Sequence, residues 1–170
     1  MKTKFSILYS WLIRTTTYFL PNVQPVMRFR GFLYSLLMKR CGKNLQVTSS
    51  AYFNTLIGLQ FGDNVYIAHN AIIISLDLTI GDDVLIGPNC VISGGDHILE
   101  NGSFRFGASE ITGVLIEKGA WVAANCTVVG GSKLPESSIL AAGSVLTKQF
   151  EHIQSIYGGV PAKFIKKVKL

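Results

Sequence analysis

Histidines are the side chains of this sequence best suited to move a proton near neutral pH, and the chain has three of them: His69, His97 and His152. His97 follows Gly94 and Gly95 in the segment SGGDHILENGSFRFGASEITG, which interrupts a repeat that runs through most of the chain. A neutral imidazole at that place could take a proton from a hydroxyl group. Spacing alone, however, favours a solvent-exposed surface residue for each of the three.

The repeat is a hexapeptide with a bulky apolar residue at its first position and a small residue at its fifth. Nine copies begin at Phe61, Ile67, Ile80, Ile86, Ile116, Val122, Val128, Leu134 and Leu140. Their fifth positions are Val65, Ala71, Val84, Cys90, Ala120, Cys126, Ser132, Ser138 and Ser144. Because such short repeats cannot bury their apolar face alone, they must stack, and the period predicts a solenoid.

Each hexapeptide is interpreted as one short strand followed by one corner, so that three of them form a coil of about 18 residues. The first position would fill the interior, and the corner would crowd the fifth. Turn residues that tolerate left-handed backbone angles occupy the corners. They are Gly62, Asp63, Asn64, Gly81, Asp82, Asp83, Gly87 and Asn89.

The pattern fails between Ile92 and Ile116, and residues 94–113 are predicted to form a loop outside the coil. It resumes in phase, since 36 residues separate Ile80 from Ile116, the length of two coils. Gly94 and Gly95 would let the chain leave the coil. Loops that project from a rigid scaffold often carry functional side chains.

Charge is distributed unevenly along the 170 residues. Residues 1–62 contain eight Lys and Arg and no Asp or Glu, whereas the whole chain has a net charge of +6. The stretch FRGFLYSLLMKR is typical of a helix with basic ends and an apolar face, which could pack on the predicted solenoid or lie on an anionic membrane. The stretch FSILYSWLIRTTTYFL is too short and interrupted to span a bilayer and lacks a small-residue cleavage site. We expect a cytoplasmic protein, peripheral to the inner membrane.

A single domain is expected at this length, divided into three segments. Residues 1–44 form a basic amphipathic arm, residues 45–150 the repeat region with the loop 94–113, and residues 151–170 a C-terminal tail.

Four hexapeptides, IGDDVL, IGPNCV, VAANCT and LAAGSV, share an aliphatic residue, then Gly or a near substitute, two free positions, a small residue and a free one. With this signature the sequence resembles the hexapeptide-repeat acetyltransferases, in particular those that modify sugars and surface polysaccharides. The resemblance implies an all-β fold, a left-handed parallel β-helix with a short helical N-terminal arm and a C-terminal tail.

The resemblance also gives roles to individual residues. In this family the catalytic histidine lies where a coil gives way to a loop, which makes His97 the general base. Asp96 would orient the imidazole or contact an acceptor hydroxyl, and Asn89 would contact the acceptor, although its place in a turn explains an asparagine equally well. Trp121 would border the cleft; burial beneath the loop or at a subunit contact is the alternative.

The segments AAGSVLTKQF and YGGVPAKFIKK resemble the closing coils and tail of family members that use coenzyme A. Carried over by position, Ala124 and Ala142 would present backbone amides to the pantetheine arm. Thr147 and Lys148 would lie near the nucleotide, and Lys163 would meet its phosphates. The C-terminal tail is therefore predicted to be a coenzyme-A-binding segment. The alternative is that these residues form an ordinary turn and a solubilising tail.

Metal and nucleic-acid functions receive little support. Zinc carbonic anhydrases share the β-helix, but the wide separation of His69, His97 and His152 does not match their ligand pattern, and no metal is expected. Nothing in the basic arm matches a nucleic-acid reading module.

The resemblance therefore implies an acetyl-CoA-dependent O-acetyltransferase that acts on a saccharide or polysaccharide precursor as a homotrimer, with acetyl-CoA as the acetyl donor. Two alternatives remain open. One is a same-fold acetyltransferase for an amino sugar or an antibiotic; the other is a non-enzymatic, membrane-associated β-helix protein.

Overall fold

The computed structural model describes residues 2–169, which form two helices followed by a β-helix. The helices are α1 (Lys2–Thr17) and α2 (Gln24–Ser35). The strands are β1 (Arg40–Cys41), β2 (Gln46–Val47), β3 (Tyr52–Phe53), β4 (Leu59–Phe61), β5 (Tyr66–Ile67), β6 (Ile72–Ser75), β7 (Leu78–Ile80), β8 (Leu85–Ile86), β9 (Val91–His97), β10 (Ser109–Ile111), β11 (Val114–Ile116), β12 (Trp121–Val122), β13 (Thr127–Val129), β14 (Lys133–Leu134), β15 (Ile139–Leu140), β16 (Val145–Leu146), β17 (Ser155–Gly158) and β18 (Lys163–Lys167).

Three parallel sheets form the sides of a prism. Sheet A has the strand order β1-β4-β7-β11-β14, sheet B the order β18-β17-β15-β12-β8-β5-β2, and sheet C the order β16-β13-β9-β6-β3. The chain passes from A to B to C in each coil, and β18 alone runs antiparallel to its neighbour in sheet B. The predicted fold class is confirmed: this is a left-handed parallel β-helix with a helical N-terminal arm.

The hexapeptide pattern is the core of the prism. The nine predicted first positions are at most 1% exposed, and the nine fifth positions at most 2%. Large side chains fill the interior from the strands, while the corners leave room only for Val, Ala, Cys or Ser. Interior side chains pack against their counterparts in the neighbouring coils, and this packing removes apolar surface from water. That burial is the main stabilising contribution to such a fold.

The corners divide the predicted turn residues into two groups. Asn64, Asp83 and Asn89 have φ near +57° to +58°, as expected for left-handed turn positions. Gly62 and Gly87 do not; a Cβ on Gly62 would lie 2.7 Å from the Gly81 carbonyl carbon of the next coil, and one on Gly87 2.8 Å from the Val122 oxygen. These glycines are needed because the next coil approaches closely, and not because their backbone is left-handed.

The interruption of the repeat adds no further coil to the prism. Strand β7 pairs directly with β11, with Leu78 opposite Val114, so Ile80 and Ile116 lie in adjacent coils although 36 residues separate them. The extra residues form an excursion. Strand β9 continues beyond sheet C, and its end, Gly95–His97, pairs antiparallel with β10.

The β-helix also starts earlier than residue 45. Strand β1 pairs with β4 through Arg40 and Cys41 and already belongs to sheet A. At the other end β17 pairs with β15, which extends sheet B beyond Phe150. Helix α2 spans Gln24–Ser35, beginning before and ending within the stretch in which the apolar pattern predicted a helix.

The N-terminal arm closes the open end of the prism. Ile13 and Tyr34 are buried against the first coil, where the Tyr34 and Phe53 rings lie 4.7 Å apart between centroids. Arg30 is fully buried and donates from Nη1 to the Val47 oxygen at 2.6 Å and from Nε to Thr17 Oγ1 at 3.1 Å. This guanidinium ties α1, α2 and the first coil together. Within residues 2–169, neither α1 nor α2 is apolar over a length sufficient to cross a bilayer.

The buried Tyr34 predicts a loss of stability in alkali. Burial raises the pKa of Tyr34 to about 12, although the Arg30 and Arg14 charges oppose the shift. The folded state therefore keeps the phenol proton to a higher pH than the unfolded chain, whose tyrosine pKa is about 10. The contribution is complete below pH 10 and should fall by about 2–3 kcal/mol as the pH rises towards 12.

Urea unfolding measured at pH 9 and at pH 11.5 checks this prediction. The variant Tyr34→Phe keeps the ring against Phe53 and is the control, because it lacks the titrating hydroxyl. We expect the free energy of unfolding to fall less between the two pH values in this variant. An equal fall in both proteins would contradict the prediction.

Candidate active site

A cleft of about 380 Å³ lies beside the excursion, between the hairpin β9–β10 and the strands of sheet C. Its walls come from four segments: Asn54–Thr55 after β3, Ile74–Leu76 at the end of β6, Ser93–His97 of β9 and Ser109–Ile111 of β10. The hairpin emerges between β9 of sheet C and β11 of sheet A, so the cleft lies at the edge that joins these sheets, here called the C–A edge. Rigid parallel strands thus support one wall, and the hairpin supplies the other.

His97 and Asp96 both line this cleft and both are exposed. They are consecutive residues of one strand, so their side chains point to opposite faces of the hairpin. Asp96 is therefore badly placed to orient the His97 ring. Opposite His97 lies Ser109, and opposite Asp96 lies Glu110.

Two of these neighbours, Ser109 and Glu110, were not found from the sequence. Cross-strand partners lie close enough for their side chains to interact. Glu110 therefore adds a second carboxylate on the face that carries Asp96. The pairing depends on a hairpin register that closes across eleven intervening residues, which hexapeptide spacing cannot reveal because the repeat is absent there.

The excursion is held to the coil by close contacts at its base. Gly94 lies opposite Ser75 of β6, and a Cβ on Gly94 would come within 2.0 Å of Ser75 Oγ. The arm supports the opposite wall, since Thr55 Oγ1 donates to Ser6 Oγ at 3.2 Å and the Leu56 amide donates to the same oxygen at 2.8 Å. Helix α1 thus contacts the segment that closes the cleft.

A second group of predicted residues lies on another edge of the prism, where sheet B turns into sheet C (the B–C edge). Ala124 and Ala142 occupy the same corner position in successive coils, and the Gly143 amide donates to the Ala124 oxygen at 2.9 Å. Asn89 is one coil further down, with φ of 57° and its Oδ1 accepting from Asn70 Nδ2 at 3.1 Å. Its turn geometry and this ladder account for the asparagine.

Lys163 lies near the same edge. It begins β18 opposite Gly158, and the preceding Ala162 amide donates to the Val145 oxygen at 2.8 Å, just after the corner that holds Ala142. The Lys163 side chain is exposed. A slender ligand lying along the two alanines would therefore reach a cation at this end, and the small side chains leave the backbone accessible.

Thr147 and Lys148 lie elsewhere. They follow β16 of sheet C and precede the bridge from Gln149 to Lys133 of sheet A, so they belong to the C–A edge. Both are exposed, and Lys148 Nζ lies 5.2 Å from the centre of the Phe150 ring. Within one chain they share an edge with His97 rather than with Ala142.

Trp121 projects outward from sheet B and is 46% exposed, in register with Leu85 and Ile139. It is not buried beneath the excursion, which leaves from another edge. It also lies outside the His97 cleft of its own chain.

The other two histidines are separate from the cleft. His69 is exposed after β5, with its Nδ1 3.2 Å from Ser50 Oγ, and His152 is exposed with its ring 5.9 Å from that of Phe164. In the described part of the chain, no group of three or more His, Cys, Asp or Glu side chains is arranged to hold a metal ion.

Known proteins resemble this chain over most of its length. Galactoside O-acetyltransferase of Escherichia coli (strain K12) is 27% identical over 140 residues, which cover 82% of this chain and 68% of that protein. A putative colanic acid biosynthesis acetyltransferase of the same organism is 24% identical over 158 residues, 92% of this chain and 85% of its own length. A solved structure of galactoside acetyltransferase in complex with coenzyme A matches with a TM-score of 0.83 at 22% identity, covering 98% of this chain and 82% of that one. No model of a protein family matches the sequence.

These similarities and the nine stacked hexapeptides lead to one assignment. The chain is similar to the hexapeptide-repeat acetyltransferases and shares their fold. The resemblance carried by IGDDVL, IGPNCV, VAANCT and LAAGSV is thereby confirmed at the level of the family.

In this chain the predicted site residues fall on two edges of one prism. His97, Asp96, Thr147 and Lys148 are at the C–A edge, whereas Asn89, Ala124 and Ala142 are at the B–C edge with Lys163 beside them. Sheet C separates the two edges. A single chain therefore does not bring the histidine and the two alanines into one site.

Proposed function

We propose that the protein transfers an acetyl group from acetyl-CoA to a hydroxyl of a saccharide or a surface-polysaccharide precursor, with His97 as the general base. The observation that supports this most strongly is the position of His97, an exposed imidazole at a cleft on the only long excursion of the described coils. The relatives named for galactoside and colanic acid acetylation support the same class of acceptor.

In the proposed reaction His97 accepts the proton of the acceptor hydroxyl as the oxygen attacks the thioester carbonyl. The new C–O bond forms, the C–S bond breaks, and the proton held by His97 passes to the departing thiolate. Direct transfer needs no covalent acyl-enzyme. Backbone amides near the carbonyl would stabilise the negative charge that develops on its oxygen.

The donor would lie along the B–C edge. Ala124 and Ala142 allow a pantetheine arm to approach the backbone, and Lys163 supplies a point charge for phosphate. Thr147 and Lys148 would meet the nucleotide from the C–A edge of another subunit. Trp121, between these groups in the assembled site, would form part of its wall, and Asn89 would contact the acceptor.

We place the C–A edge of one chain against the B–C edge of the next in a homotrimer. This arrangement follows from the separation of His97 and Ala142 within one chain, because a heterologous interface can join two different edges and close into a ring. It completes each site with residues from two subunits.

An acceptor panel tests the function. Purified protein with acetyl-CoA and individual saccharides should release free thiol and yield a product heavier by one acetyl group. Galactosides and polysaccharide fragments are the first acceptors to test. Thioester turnover that never depends on an added hydroxyl acceptor would contradict the proposal.

A same-fold acetyltransferase for an amino sugar is the second candidate. The paired carboxylates of Asp96 and Glu110 favour it, because their negative charge, although on the other face of the hairpin from His97, would attract a cationic amine towards the hairpin. The same panel separates the two candidates: each saccharide is tested beside its amino analogue, and Glu110→Gln should weaken binding only of the amine.

The proposed location is the cytoplasm, with peripheral contact to the inner membrane through the N-terminal arm. The uniformly basic character of residues 1–62 supports this contact.

A further inference from the structure

Helix α1 is oriented opposite to the usual pattern of a surface helix. The side packed against the β-helix carries Ser6, Ser10, Ile13 and Thr17. Ser10 Oγ donates to the Phe53 oxygen at 2.6 Å, so this small, polar side is fixed to the first coil by hydrogen bonds. Surface helices normally turn their apolar stripe inward; here the larger apolar residues point away from the protein.

The outward side of the arm is apolar on both helices. Exposed residues on α1 are Phe5, Leu8, Trp11 and Leu12, with 49–61% of their surface accessible. On and after α2 they are Phe29, Phe32 and Leu36, with 52–59% accessible. These seven residues are called the outer arm face. Large apolar side chains exposed on the outward sides of two packed helices mark a site of contact with another molecule or a membrane.

The charges around the outer arm face indicate what it contacts. Lys2, Lys4, Arg28, Lys39 and Lys43 are exposed on the arm and the first corner. The first acidic residue of the chain, Asp63, lies at that corner, where its Oδ1 accepts from the Lys43 amide at 2.6 Å. A second copy of the arm would bring like charges together. An anionic bilayer supplies both complements, an apolar boundary for Trp and Phe and negative headgroups for Lys and Arg.

A cavity of about 540 Å³ adjoins this face and lies away from the His97 cleft. Its walls include Arg28 and Phe32 of α2 and Lys43 and Asn44 at the first corner of the β-helix. Two cations therefore face one space that also touches an exposed aromatic ring. The close packing of Gly31 on Leu45, where a Cβ would lie 2.0 Å from the Leu45 oxygen, fixes α2 beside this corner.

We propose that this cavity binds the phosphate headgroup of an anionic phospholipid while the outer arm face enters the bilayer interface. The inference rests on the peripheral location within the proposed function and is independent of acetyl transfer. Arg28 and Lys43 would hold the phosphate, since charge-assisted hydrogen bonds to phosphate are strong. Phe32 would sit at the level where headgroups meet acyl chains.

Vesicle flotation of the full chain tests the proposal. Vesicles of phosphatidylcholine alone are compared with vesicles in which about a third of the lipid is phosphatidylglycerol. Wild-type protein should float with the anionic vesicles, less so in high salt, and little with the neutral ones. The double variant Arg28→Gln with Lys43→Gln should lower the partition coefficient by about tenfold or more.

Two matched charge controls isolate the cavity. Lys2→Gln with Lys4→Gln removes two charges of the arm outside the cavity, and Lys166→Gln with Lys169→Gln removes two from the tail. We expect the tail pair to leave binding unchanged and the Lys2 and Lys4 pair to weaken it less than the cavity pair. Equal losses from the two arm pairs would overturn the headgroup cavity while leaving the membrane contact in place.

The outer arm face is tested with Trp11→Gln combined with Phe32→Gln, and Phe104→Gln combined with Phe106→Gln of the excursion is the control. The first pair should abolish flotation, and the second should not. Absence of wild-type binding to any vesicle would overturn both the cavity and the peripheral location. So would light scattering in which the first pair breaks up the oligomer, because the face would then be a subunit contact. Acetyl transfer to a soluble saccharide, measured in each variant, reports separately on the proposed function.

Discussion

Replacing His97 with alanine is expected to lower the turnover number by about 10²–10⁴-fold, the usual contribution of a general base. The affinity for coenzyme A should remain close to that of the wild type, because the donor residues lie on another edge of the prism. His97 is exposed on the hairpin, so the substitution removes no core packing. Steady-state kinetics with a saccharide acceptor and calorimetry with coenzyme A measure the two effects.

His69→Ala and His152→Ala are the matched controls for this experiment. Both histidines are exposed and lie outside the cleft, and both variants should turn over at nearly the wild-type rate. Full activity in His97→Ala, or an equal loss in all three variants, would remove His97 from the reaction.

Mixing two inactive variants should restore activity if each site uses two subunits. His97→Ala disables the C–A edge, and Ala142→Trp fills the B–C edge where the donor would lie. Each variant alone should be nearly inactive. Co-expressed chains that assemble at random should recover about a quarter of the wild-type activity, because about one interface in four joins an intact His97 to an intact Ala142.

The arrangement of the substitutions provides the control for mixing. A chain carrying both His97→Ala and Ala142→Trp is co-expressed with the His97→Ala chain. This mixture contains no intact His97 and should show no recovery. Ala142 is exposed, so a larger side chain there does not disturb the interior. Mass spectrometry would show whether mixed oligomers form. If they form and the first mixture is no more active than its two separate variants, the shared site is contradicted.

The sequence predicted the scaffold well because the β-helix makes the same demand at every coil. Ile86 and Val122 had to be apolar and Cys90 and Cys126 small, since each interior position meets its counterpart one coil away. A packing requirement that recurs at every coil produces a repeat in the sequence. The interruption of that repeat located His97 and Asp96, which do line one cleft.

Other parts of the site could not be predicted from the repeat. Ser109 and Glu110 reach the cleft through an antiparallel register outside the repeat, and nothing in their spacing specifies it. The excursion adds about as many residues as one coil, so residue counting alone does not distinguish a loop from a further coil. Only the pairing of β7 with β11 shows that the chain returns to the adjacent level.

The sequence by itself determined the resemblance to a family, the stacked repeat, the position of the interruption and the basic charge of the arm, because these are properties of residue type and order along the chain. The tertiary structure decided which edge of the prism each site residue occupies, and hence that His97 and Ala142 lie apart in one chain. It also decided that α1 turns Ser6 and Ser10 inward and Trp11 outward. Helical periodicity defines two faces but does not say which one is buried; the hydrogen bonds and close packing of the first coil make that choice.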